Sequence, residues 1–128
     1  MALRPSTLMF DTRDPLRVAT FWAGALGFEF VEADATGGYI ADPSGRTPGA
    51  FFQPVPEPKV VKNRIHLDVR PTDSMKAGVE RVQELGGTVR GFIQTDDSFW
   101  TQMRDVEGNE FCVLRGPEDG WSDDQVSM

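Results

Sequence analysis

His66 is the only histidine in the chain, and Asp68 follows two residues later. In an extended segment such a pair shares a face. The carboxylate can then orient or charge an imidazole whose ordinary pKa lies near neutrality, the pairing a general base needs. Cys112 is the only cysteine, which excludes an intrachain disulfide. As a thiolate it would need electropositive company from Arg64 or His66; otherwise it is a small buried hydrophobe. Glu110 stands two residues before it and adds a second carboxylate. These groups suit either proton transfer in a lyase or isomerase, or the polar anchoring of a small molecule.

The elements that must position them can be read from local patterns. Thr7–Asp11 alternates around Leu8 and Phe10 as a short strand. Asp14-Pro15 is a helix N-cap with proline at the first helical position. Leu16, Ala19, Phe21, Trp22, Ala25 and Leu26 follow at helical spacing, with Gly27 as the stop. Residues 28–34 read as a strand, and a turn at Thr36-Gly37-Gly38 leads to a strand at Tyr39–Ala41. The turn Asp42–Gly45 then precedes a strand at Ala50–Gln53. Residues 54–62 carry three prolines and read as an extended connector.

The order then repeats. Arg64–Arg70 alternates, Asp73 caps a helix bearing Met75, Val79, Val82 and Leu85, and Gly86-Gly87 ends it. Residues 87–93 and 98–104 are strands, Asp105–Gly108 is a turn, and Glu110–Leu114 is the last strand. Asp14 to Gly27 spans thirteen positions, as does Asp73 to Gly86, an offset of 59. The two Asp-x-x-Gly turns lie 63 apart, and the extra residues RTPG after the first restore 59. The expectation is an α+β domain over 1–128 built of two tandem βαβββ modules. Module one covers about 6–53 and module two about 63–115, with an acidic tail at 116–128 that is mobile or a lid. Helices cover the outer face of a curved mixed sheet.

Strand alternation assigns the faces. Leu8, Phe10, Ile65, Leu67, Val69, Ala50, Phe52, Phe111 and Val113 should meet the helices. Thr7, Met9, Asp11, Arg64, His66, Asp68, Arg70, Phe51, Gln53, Glu110, Cys112 and Leu114 should point away from them into a cleft. The offset of 59 pairs Thr7 with His66, Met9 with Asp68, Phe51 with Glu110, and Gln53 with Cys112. Trp22 falls on the first helix's apolar stripe. Trp100 has ambiguous parity and is either core or a surface on which a ligand stacks.

The stretch FWAGALGF after Asp14-Pro15, KNRIHLDV opening the second half and DVEGNEFCVL closing it resemble the vicinal oxygen chelate superfamily. The likeness is to its glyoxalase-like, bleomycin-resistance-type branch and runs from about Thr7 to Leu114. It implies that fold, a homodimer, and in metal-dependent members a divalent ion at the positions of Thr7, Gln53, His66 and Cys112. His66 matches the family histidine. Thr7 stands where His or Gln is usual, and Gln53 and Cys112 where carboxylates are usual; Glu110 or Asp68 could substitute.

Only His66 and Cys112 are ready zinc ligands, one short of the three a zinc site requires, so no metal cofactor is expected. The expected function is therefore metal-independent binding of a metabolite or drug-like ligand in the cleft. The alternative is a glyoxalase-like lyase or isomerase using His66, with Asp68 or a metal in support. A net charge of −7 excludes a general nucleic-acid binder. MALRPSTLMF lacks a signal-peptide core, and no apolar run is long enough to span a bilayer, so a cytoplasmic protein without a membrane partner is expected.

Overall fold

The computed structural model describes residues 2–122. They form two compact units, divided between Val60 and Val61. The first contains β1 (Thr7–Thr12), α1 (Pro15–Leu26), β2 (Glu29–Asp34), β3 (Gly37–Ala41) and β4 (Gly49–Pro54). The second contains β5 (Asp68–Val69), α2 (Met75–Glu84), β6 (Thr88–Gln94), β7 (Phe99–Arg104) and β8 (Glu110–Val113), followed by a single 3-10 turn, Pro117–Asp119. Each unit is thus the βαβββ module expected from the repeat. Each carries its own four-stranded mixed sheet, ordered β1-β4-β3-β2 and β5-β8-β7-β6, with the first and last strands parallel.

Capping fixes α1 locally. The Asp14 carboxylate accepts the Arg17 N–H at 3.1 Å, Pro15 opens the helix, and Gly27 closes it in the left-handed conformation. Pro15, Val18, Ala19, Phe21, Trp22 and Ala23 are buried, so Trp22 is core. Leu16 is 47% exposed and lies outside the buried stripe, in which Val18 stands with Pro15, Ala19 and Trp22 at helical spacing. Phe10 stacks on Phe52 at 5.0 Å and meets Trp22 at 5.7 Å, forming the first unit's aromatic core.

In the second unit the cap is Ser74, not Asp73. The Ser74 hydroxyl accepts the Ala77 N–H at 3.1 Å. Asp73 is drawn away by Arg81, to which both its oxygens bond at 2.8 and 3.1 Å. Val82, Met103, Phe111 and Val113 are buried between α2 and its sheet.

The strand expected over Arg64–Arg70 pairs only at Asp68–Val69. Ile65 is 86% exposed rather than packed against a helix. The cause lies opposite. Extending the Asp68–Cys112 register backward would set residues 64–66 against 108–110. There Asn109 is tied into the Asp105 turn through its N–H and its side-chain amide, each at 2.9 Å. Glu110 meanwhile engages Asn63 instead.

The acidic tail is also not a loose end as far as Ser122. Asp119 accepts the N–H of Met75 at 2.7 Å and of Gly116 at 2.9 Å. The remainder of that expectation, residues 123–128, lies outside the described residues. No helix among the described residues is long and apolar enough to cross a membrane.

Candidate functional site

Hydrogen-bond register shows which side chains share the helix-free face of each sheet, since directly paired residues point the same way. In the first unit Met9, Phe51, Tyr39 and Glu32 form one row across β1, β4, β3 and β2. Met9 is 56% and Phe51 43% exposed, and the Tyr39 and Phe51 rings lie 5.4 Å apart. This is an open apolar and aromatic strip. At one end Gln53 donates its amide N–H to Asp11 at 3.1 Å, and at the other Thr7 lies opposite Gly49. Gly49 is there for space: a Cβ on it would meet the Tyr39 hydroxyl at 2.7 Å and the Ile40 carbonyl at 2.5 Å.

In the second unit the corresponding row is Asp68, Cys112, Gln102 and Gly91. His66 Nε2 approaches Asp68 Oδ1 at 3.4 Å, with both side chains about half exposed. The Cys112 thiol, buried, completes the cluster, and one ligand atom from each of the three lies within 4.8 Å of the others. Burial first, and then the Asp68 carboxylate to which the thiol donates, raise the Cys112 pKa, while Lys62 and Arg90 oppose the shift. Cys112 is therefore a protonated thiol rather than a ready nucleophile.

The remaining expected residues fall as follows. Trp100 precedes Thr101, which faces α2 through its hydroxyl's contact with the Met75 sulfur at 3.4 Å. It therefore shares the helix-free face with Gln102, which resolves its parity. Glu110 lies on that face too, but its carboxylate accepts the Asn63 N–H at 3.0 Å, so Asp68 is the acid that joins the cluster. Arg64 is exposed and precedes β5. Arg70 is turned aside by Arg115 and Trp121: it donates to the Arg115 carbonyl at 2.7 Å, and its guanidinium lies 3.8 Å from the Trp121 ring centre. Four members of these rows were not foreseen: Tyr39, Gln102, Glu32 and Gly91. Alternation from Phe51 and Trp100 would have reached the first two once the strand pairing was known.

The register shows that the offset of 59 cannot hold for the first and last strands together. Met9 lies opposite Phe51, a separation of 42, whereas Asp68 lies opposite Cys112, a separation of 44. With Met9 matched to Asp68, Phe51 takes the place of Cys112; with Gln53 matched to Cys112, Asp11 takes the place of Asp68.

In the first unit Thr7 offers a hydroxyl and Gln53 an amide whose N–H is given to Asp11, a poor donor set for a hard, oxygen-preferring divalent ion. The His66–Asp68–Cys112 set is chemically closer to a zinc-type site, provided the thiol gives up its proton.

Comparison with known proteins follows this geometry. A family model described as a glyoxalase-like domain matches residues 7–114. No curated protein sequence matches the chain. Among solved structures, the fosfomycin resistance protein FosX from Listeria monocytogenes superimposes with a TM-score of 0.71 at 13% identity, covering 93% of this chain and 99% of that one. FosX from Mesorhizobium loti gives 0.70 at 18% identity, covering 91% and 94%. The bleomycin-binding protein of bleomycin-producing Streptomyces verticillus, solved with copper(II)-bleomycin, gives 0.59 at 16% identity, covering 91% and 98%. At these identities the likeness is one of fold.

Proposed function

From the premise that this chain belongs to the glyoxalase-like domain family, we propose that it is a small-molecule-binding protein that holds a metabolite or drug-like ligand without a metal. The observation that carries this reading is the open row Met9–Phe51–Tyr39 on a sheet face with no helix over it. Exposed thioether and ring surface in a contiguous strip is costly to hydrate and serves as a stacking platform. The second unit's row supplies directional contacts instead: the His66 imidazole, the Asp68 carboxylate, the Gln102 amide and the Trp100 ring. Metal independence is supported by the donors at the family's ligand positions, where Thr7 and Gln53 are weak and Cys112 keeps its proton. Solved structures of this fold include proteins named for bleomycin binding and for fosfomycin resistance, which supports a small-molecule ligand.

A second reading has its own observation. The His66, Asp68 and Cys112 ligand atoms within 4.8 Å of one another could hold a zinc-type ion, whose Lewis acidity would support a lyase or isomerase; without the ion, His66 beside Asp68 would be the base. One experiment separates the two. Metal content is measured on the purified protein, and thermal shifts are recorded for a panel of metabolites and drugs that includes bleomycin and fosfomycin, with and without EDTA. A binder gives shifts that survive EDTA and are lost in Phe51→Ala, because ligand stabilisation scales with occupancy of the folded state. Stoichiometric metal, with shifts or turnover abolished by EDTA, would overturn the metal-independent reading and favour the enzyme.

A further inference from the structure

We propose that residues 116–122 are a positioning clamp for the His66–Asp68–Cys112 cluster, with Trp121 the positioning residue, acting through Arg70. The need for a clamp follows from β5. It is two residues long and pairs with β8 at Asp68–Cys112 and Val69–Val113, flanked by the Cys112 N–H to Leu67 carbonyl and the Leu114 N–H to Val69 carbonyl bonds, both 2.9 Å. So short a pairing fixes register weakly and opens easily. Asp68 must nevertheless be held against Cys112 for the cluster to exist.

A further tie is made by a side chain. Arg70, two residues beyond Asp68, donates to the carbonyl of Arg115, three residues beyond Cys112, at 2.7 Å. This bond bridges the same two segments just past the end of the strand pair. A guanidinium on a flexible stem holds such a geometry only when its plane is fixed, and the Trp121 ring at 3.8 Å fixes it by cation–π contact.

Trp121 is in turn anchored from the other side. Its N–H reaches the Gly116 carbonyl at 3.3 Å, and the Asp119 carboxylate bonds both Gly116 and the first residue of α2. Gly116 is required for the close approach, because a Cβ there would strike the Asp73 carbonyl. A continuous path therefore runs from the N-terminus of α2 through Asp119, Trp121 and Arg70 to the strand that carries Asp68. The competing account is that the segment merely caps α2, since Asp119 does accept the Met75 N–H.

The two accounts are separated in the full-length protein by the rate at which iodoacetamide labels Cys112. This is the chain's only thiol, and at 6% exposure it reacts through local opening. Amide exchange at Cys112 and Leu114 is followed in parallel. Trp121→Ala is expected to label about fivefold faster, the size of one exposed cation–π contact. Exchange at Cys112 and Leu114 should accelerate, while the Gly78 amide inside α2 keeps its wild-type rate. Trp121→Phe, which keeps a ring, restores slow labelling. Ser74→Ala removes the helix cap and lowers thermal stability without changing the labelling rate. Arg70→Gln is a second variant at a half-exposed site and should label as fast as Trp121→Ala. Labelling unchanged in both, or raised no more than in Ser74→Ala, leaves the segment a helix cap and overturns the proposal. None of these readouts involves a ligand, so they can fail without affecting the binding function proposed above, and the reverse also holds.

Discussion

Gly49→Ala tests whether the open row of the first unit depends on an absent side chain. The added Cβ would stand 2.5 Å from the Ile40 carbonyl oxygen and 2.7 Å from the Tyr39 hydroxyl. Tyr39 can swing away, but Ile40 O belongs to the backbone of neighbouring β3 and cannot without distorting the sheet. Overpacking of this kind costs about 1–3 kcal/mol. It is offset by roughly 0.4–1 kcal/mol from the smaller unfolded-state entropy of alanine. The net is about 1–2 kcal/mol destabilising, or a fall in Tm of roughly 3–8 °C for a chain of this length. Gly91→Ala is the matched control: it also sits in a strand with no positive φ, and a Cβ there meets only Gln102 Oε1 at 3.8 Å. That substitution should be neutral or raise Tm by a few degrees, about the entropy gain alone. Thermal and urea melts of both variants, with equal m-values, measure the difference. The displaced Tyr39 ring would also leave Phe51, so ligands of the first unit's face should bind Gly49→Ala more weakly. A Gly49→Ala protein as stable as Gly91→Ala would refute the packing argument.

Three further outcomes are expected. Phe52→Ala, at a ring fully buried and stacked 5.0 Å from Phe10, should cost about 3–5 kcal/mol in urea unfolding. The pH profile of Cys112 alkylation should begin above the ordinary thiol range; Asp68→Asn should shift its onset down but not all the way, because burial is the larger cause. Asp42, held down to about 2 first by the Ser44 hydroxyl and then by the Ser44 N–H and Thr47, binds its proton more weakly folded than unfolded. Its contribution is therefore complete above about pH 4 and is lost as pH falls toward 2. The Tm gap between wild type and Asp42→Ala should accordingly shrink over that interval.

The module order was legible because it is written in local chemistry. Asp14-Pro15 and Gly27 bound one helix by capping alone, and the repeated Asp-x-x-Gly turns mark the strand ends. What was not legible was pairing. Ile65, Leu67 and Val69 alternate as a strand should, yet alternation states only which face a strand would bury. Whether a partner reaches it depends on Asn109, whose commitment to the Asp105 turn leaves nothing for residues 64–66 to pair with. In the same way, the offset of 59 counts residues, while correspondence across the repeat is set by hydrogen-bond register. That register differs by two residues between the modules.

The corrected register changes how the site is understood. By sequence offset, Cys112 stood as a degraded carboxylate opposite Gln53, and the four positions looked like an eroded version of one metal site. With Met9 matched to Asp68, the register sets Cys112 in the place of Phe51 and Gln102 in that of Tyr39. The two copies of the module therefore carry the same row in opposite chemistries, thioether and rings in one, carboxylate, thiol and amide in the other. Erosion alone would leave both rows with arbitrary, mostly solvated side chains. Instead the first keeps Gly49 bare so that Tyr39 can lie over it, and the second keeps Asp68 within hydrogen-bonding reach of a buried thiol. Exposed apolar surface in the first row costs stability, and so does burying the Cys112 thiol in the second. On the reading proposed above each row is kept for contact with a small molecule, and a Phe51→Ala protein that still gives the ligand-induced thermal shifts would remove that argument for the first row.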